Sequence, residues 1–184
     1  MTTQQIEYSI ETGKLSLSFW GKINHYGIVL YSFLLSSIPI FLHPKYFILG
    51  IHKQLKPFEL LFLIPLILGL LFYWMQKNRL KFKSIETNLS REELNKLIEK
   101  VAKELEWKET TSNDKVYIAK TDPGFFSGSW GEQITILFDQ NRVLANSICR
   151  LDQHSSVVSM GRNRQNIETL IDEIKNTNHN PEKW

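Results

Sequence analysis

Cysteine is almost missing from this chain: Cys149 is the one thiol in 184 residues. A lone thiol excludes an intramolecular disulfide and a cysteine-built zinc site, and it suits a reducing compartment. Acidic residues are scarce early on. Residues 1–83 hold three Asp/Glu against nine Lys/Arg, whereas residues 84–184 hold sixteen against thirteen. The net charge of +3 therefore averages a basic part and a mildly acidic one. The acidic part argues against a nucleic-acid partner, because phosphate neutralisation needs clustered positive charge. The glycine spacing of a dinucleotide loop and the glycine–lysine–serine phosphate loop are both missing. His43 and His52 lie nine apart with no supporting carboxylate, a poor metal site, so neither metal nor other cofactor is expected.

What the chain does have is two long apolar runs, "GIVLYSFLLSSIPIFL" (27–42) and "FELLFLIPLILGLLFYWM" (58–75). Eighteen residues make a helix of about 27 Å, close to the ~30 Å hydrocarbon core of a bilayer. Pro39 and Pro65 are tolerated in membrane helices. A cleaved signal peptide fits poorly, because 26 residues of mixed polarity precede the first run and no small-residue cleavage site follows it. The runs predict a transmembrane helical hairpin over 24–76. Lys14, Lys22, Lys77, Arg79, Lys81 and Lys83 flank it on one side, and Lys45, Lys53 and Lys56 lie in the connecting loop. Positive charge stays inside, so both termini are expected in the cytoplasm, with the protein in the inner membrane. Tyr73 and Trp74, followed by Lys77, Arg79, Lys81 and Lys83, read as membrane-interface residues.

The remainder predicts an α+β domain over 84–176. Ser90 followed by Glu93 is a capping box that places a helix start, and Leu94, Leu97, Ile98, Val101, Ala102 and Leu105 form its apolar stripe. Strand-like runs follow at 115–120, 132–139, 142–149 and 155–160, the middle two joined by a tight turn at 139–141. "NIETLIDEIKN" closes the domain as a helix, giving the order α-β-β-β-β-α, an antiparallel sheet with helices on one face. Residues 177–184 read as a disordered tail. "IEYSIETGKLSLSF" (6–19) alternates around "TGK", so residues 1–23 are expected to form a β-hairpin that joins the sheet.

The order of N-terminal strands, membrane hairpin, capped helix, "SWGEQITILF", "VLANSIC" and "SMGRNRQNIETL" resembles uncharacterised small bacterial two-span membrane proteins. The resemblance covers nearly the whole chain and implies topology and location, with no activity attached.

Three clusters are candidate sites. "DPGFFSGSWGEQ" (122–133) reads first as a glycine-permitted bend, with Phe125, Phe126 and Trp130 as contacts for lipid or a partner. "MGRNRQN" sets Arg162, Asn163 and Arg164 at the last helix's N-terminus, where an anion would fit, Asn163 or Asn166 being the expected cap. "CRLDQH" holds Cys149 and His154 across an expected turn, the pairing that thiolate catalysis needs. No complete nucleophile, base and acid set emerges. The leading expectation is a membrane-anchored, non-enzymatic interaction module whose partners are the bilayer and a protein or a second copy. The alternatives are a tethered enzyme using Cys149/His154 or the Arg162/Arg164 site, and an oligomeric transport or pore component.

Overall fold

The computed structural model describes residues 1–42, 60–122, 124 and 129–179. Helix α1 (Thr3–Thr12) opens the chain, followed by α2 (Phe19–Ser36), a short α3 (Ile38–Leu42) and α4 (Leu63–Arg79). Then come β1 (Lys83–Glu86), α5 (Arg91–Glu104), β2 (Lys108–Ser112), β3 (Val116–Lys120), β4 (Glu132–Asp139), β5 (Arg142–Cys149) and α6 (Arg162–His179). The five strands form one antiparallel sheet in the order β1-β5-β4-β3-β2. The protein is α+β.

The hairpin β4–β5 is the spine of the sheet, closing through Gln140, which sits at φ 51°, and the ion pair Asp139–Arg142 at 2.6 Å. Its residues are buried on both faces. Tyr117, Ala119, Ile134, Ile136, Val143 and Ala145 face α5 and α6, meeting Leu97, Ile98, Leu170 and Ile174. Val116, Ile118, Leu137 and Leu144 face the other way and meet Ile6 of α1. Helix α5 starts where the capping box puts it: Glu93 N–H donates to Ser90 Oγ, and Ser90 N–H to Glu93 Oε2 at 2.7 Å.

Three expectations are corrected. The N-terminal segment is a helix with its own capping box between Thr2 and Gln5, not a β-hairpin, and "TGK" is its end, with Gly13 in the left-handed conformation at φ 65°. Ile6 and Ile10 alternate as strand residues would, but they are also four apart, so the short pattern fits either period. The segment does join the sheet, as a helix on the face opposite α5 and α6, which share one face as expected. Residues 155–160 form a loop rather than a strand, and β1 and β2 supply the two edge strands instead. Residues 177–179 are not a disordered tail: they end α6, where Thr87 Oγ1 donates to Asn178 Oδ1 at 2.8 Å. Residues 180–184 lie outside the described residues.

Helices α2 and α4 pack side by side. A Cβ at Gly69 would sit 3.1 Å from Ser32 Cβ, so a glycine is needed for this approach. Ser32 is the small residue facing it. One stretch among the described residues, Phe19–Leu42, is long and apolar enough to cross a bilayer. It breaks at Ser37, just before Pro39. Helix α4 has 17 residues, about 26 Å, with Pro65 in its first turn, where the missing N–H has no helical partner to lose.

Candidate functional site

The chain's polar side chains converge where one end of the sheet meets α2, α4 and α6. Glu132 opens β4, opposite Cys149 at the end of β5, and both point to the α6 side. Glu132 is fully buried; its carboxylate accepts from Thr121 Oγ1 and Ser129 Oγ, each at 2.5 Å, and from Arg162 Nε at 3.2 Å. Gly131, at φ 100°, makes the bend into β4, a conformation that other residues rarely adopt. The bend expected in "DPGFFSGSWGEQ" is therefore present at Gly131. Phe125 and Phe126 lie outside the described residues. Trp130 is more than half exposed and meets the His154 ring edge-on, with centroids 5.3 Å apart.

Cys149 is buried beneath this bend. Its thiol donates to Val158 O at 3.6 Å, while Arg79 Nη1 and Asn163 Nδ2 donate to its sulfur at 3.8 and 3.9 Å. Burial pushes the thiol pKa up, more than the Arg79 charge brings it down. A buried, protonated thiol is a poor nucleophile. The structure does not bring Cys149 and His154 together as a reactive pair: the thiol's partners are Arg79, Val158 and Asn163, and the imidazole's is Trp130.

Arg162, Asn163 and Arg164 diverge. Arg162 turns inward to Glu132, Asn163 accepts from Ser147 Oγ at 2.9 Å, and Arg164 pairs along the helix with Glu168 at 2.8 Å. Both guanidinium groups already hold a carboxylate, which leaves little for a further anion. Neither asparagine caps the helix. Asn166 is buried within it, accepting from Trp107 Nε1 at 3.0 Å and donating to Ser147 Oγ at 3.1 Å.

No family model, characterised protein or solved structure matches this chain. The geometry alone carries the argument. Among the described residues no group of His, Cys, Asp and Glu is arranged to hold a metal.

Sequence reasoning missed the clasp between the loop 151–158 and the two apolar helices. Asn24 Nδ2 donates to Leu151 O at 2.6 Å, and Ile28 N–H donates to Ser155 Oγ at 3.0 Å. Gln76 Nε2 donates to His25 O at 2.8 Å and to Ser156 O at 3.1 Å, while the His25 ring bonds Gln76 O. Gln76 is 1% exposed, and its Oε1 has no partner among the described residues. The signal was present: His25 and Gln76 are polar residues buried in otherwise apolar helices, and each needs a partner there. Backbone bonds complete the junction, with Leu15 N–H donating to Leu80 O at 2.7 Å and Phe82 N–H to Gly13 O at 2.9 Å.

The expected interface residues lie around this junction. Tyr73 and Trp74 are exposed, and Lys77 Nζ sits 5.9 Å from the centroid of the Tyr73 ring. Lys77, Arg79 and Lys81 pair with no carboxylate among the described residues, whereas Lys83 reaches Glu168 at 3.4 Å.

Proposed function

We propose that the chain is an integral protein of the cytoplasmic membrane, of the bacterial two-span kind, in which α2–α3 and α4 form a hairpin anchor. The anchor holds an α+β interaction module at the cytoplasmic face. One observation carries this reading: the apolar helices keep their large side chains outward. Leu34 is 65% exposed, Ile67 64% and Leu70 57%, around a seam built from Ser32 and Gly69. Water would make such a surface unstable or sticky, whereas lipid solvates it. The backbone bonds from residues 13–15 to 80–82 support an even number of crossings, since the chain leaves and returns at one place. The cations gathered there support the cytoplasmic side.

A binding role fits the domain better than catalysis, because Cys149 is buried and protonated and the arginines of α6 are paired. The partner is a protein or a second copy of the chain. Fractionation tests the anchor: the untagged full-length protein should stay with membranes through high salt and alkaline carbonate, and leave only with detergent. Recovery in the supernatant without detergent would defeat the reading.

A further inference from the structure

The two other described clefts are lined with carboxylates. Glu86, Glu93 and Asp139 line one, beside Arg142 and His179, and Glu168 and Asp172 line the one between β1 and α6, beside Lys83 and Lys175. A third cleft, of about 390 Å³, differs. It lies beside the backbone junction of residues 13–15 with 80–82, and Tyr8, Lys14, Lys22 and Tyr26 line it together with Leu17 and Leu80. No acidic residue lines it, and neither lysine pairs with a carboxylate among the described residues. In the domain, by contrast, Lys100, Lys108, Lys120, Arg142, Arg150, Arg162 and Arg164 all do.

The walls of this cleft are fixed. Gly13 turns the chain sharply out of α1, and Ser16 N–H donates to Ser9 Oγ at 3.0 Å. Leu15 and Leu17 are anchored in a cluster with Ile148, which sets the strap 14–17 as the floor. Lys22 and Tyr26 lie one turn apart on α2 and so share a side of that helix. Beyond Tyr26 the surface continues to Tyr73, its ring centroid 5.7 Å away, and then to Lys77. Two ammonium groups and two phenol hydroxyls over a leucine floor match a group that is anionic at one end and apolar at the other.

We propose that this cleft binds the phosphate headgroup of an anionic membrane lipid, the glycerol backbone resting against Leu17 and Leu80. The proposal rests on the membrane anchor above, since only then does the cleft open at the level of the headgroups. Lysine serves phosphate as a compact point charge, and an anionic leaflet supplies phosphate at high local concentration.

The test is native mass spectrometry of the full-length protein in neutral detergent, offered equimolar phosphatidylglycerol and phosphatidylcholine. The wild type should retain phosphatidylglycerol selectively. The double variant Lys14→Ala/Lys22→Ala should retain it about 30-fold more weakly, at about 5-fold per lysine. Lys14→Arg/Lys22→Arg should keep it, and Lys96→Ala/Lys103→Ala, on exposed α5 positions, should leave it unchanged. Equal retention of the two lipids, or retention indifferent to Lys14 and Lys22, would overturn the proposal. So would capture of soluble glycerol phosphate without lipid selectivity. In all three cases a protein that still fractionates with membranes leaves the anchor standing; a protein found in the supernatant overturns both.

Discussion

The helix pair α2/α4 and the five-stranded domain use the same residue types in opposite ways. On the helices, Leu34, Ile67 and Leu70 face outward, while the small or polar Ser32, Gly69, His25 and Gln76 are inside. In the domain, Leu97, Ile136, Leu170 and Ile174 are inside and lysines outside. Cations follow the same division: among the described residues Lys14, Lys22, Lys77, Arg79 and Lys81 at the junction pair with no carboxylate, and most of those on the domain do. One chain thus carries two kinds of surface, which the proposed anchor assigns to lipid and to water, and the clasp of Asn24, Gln76 and Ser155 joins them.

The sharpest contrast should come from Cys149. In the folded protein a water-soluble maleimide should modify it on the order of 100-fold more slowly than in the denatured chain, because reaction waits for opening. Rapid modification of the native protein would revive a reactive thiol. Removing the buried carboxylate by Glu132→Ala takes the counter-ion from Arg162 and an acceptor from Thr121 Oγ1 and Ser129 Oγ. Thermal or chemical unfolding of the domain should show a loss of about 3–5 kcal/mol.

Truncation then compares the two regions directly. Leu170→Ala should cost about 2–5 kcal/mol by the same measurement. Leu70→Ala, on the outward face of α4, should move domain stability by less than about 0.5 kcal/mol. Equal losses would mean that both leucines sit in protein interior.

A smaller effect than the core truncation is electrostatic. A bidentate bond from Arg150, helped by Lys120, holds the Asp152 carboxyl well below the usual carboxylate range. A depressed folded-state pKa stabilises the fold above the unfolded value and is lost as pH falls. Asp152→Asn should therefore cost about 0.2–1 kcal/mol near pH 7, since the site is half exposed, and the difference should shrink below about pH 4. A difference that grows in acid would contradict the assignment.

The domain's centre was legible in the sequence because its signals were redundant. The Ser90–Glu93 box and the five apolar positions from Leu94 to Ala102 agree on α5, and β4 and β5 have the limits that their alternation and turn suggest. The edges were not. β2, "KETTS", is exposed along its whole length and carries no apolar alternation, while β1 has four residues behind a basic stretch. "SSVVSM" has strand composition, but Ser155 Oγ accepts from Ile28 N–H of α2 and Ser156 O from Gln76 of α4, while the Ser156 hydroxyl bonds Val158 within the loop. At the candidate sites, sequence brought the right residues forward without their partners. Arg162 was visible, but its buried counter-ion Glu132 lies thirty positions away, at a bend whose sequence announces only glycine and aromatics.

The central claim is that lipid surrounds the outward leucines of α2 and α4. Spin-label accessibility tests it most directly, using Leu70→Cys in a Cys149→Ser background reconstituted into bilayers, with Lys96→Cys as the aqueous reference. The label at position 70 should be relaxed strongly by oxygen and weakly by a water-soluble nickel chelate, and the label at 96 the reverse. Equal relaxation of both labels by the nickel chelate would show water at position 70 and contradict the account.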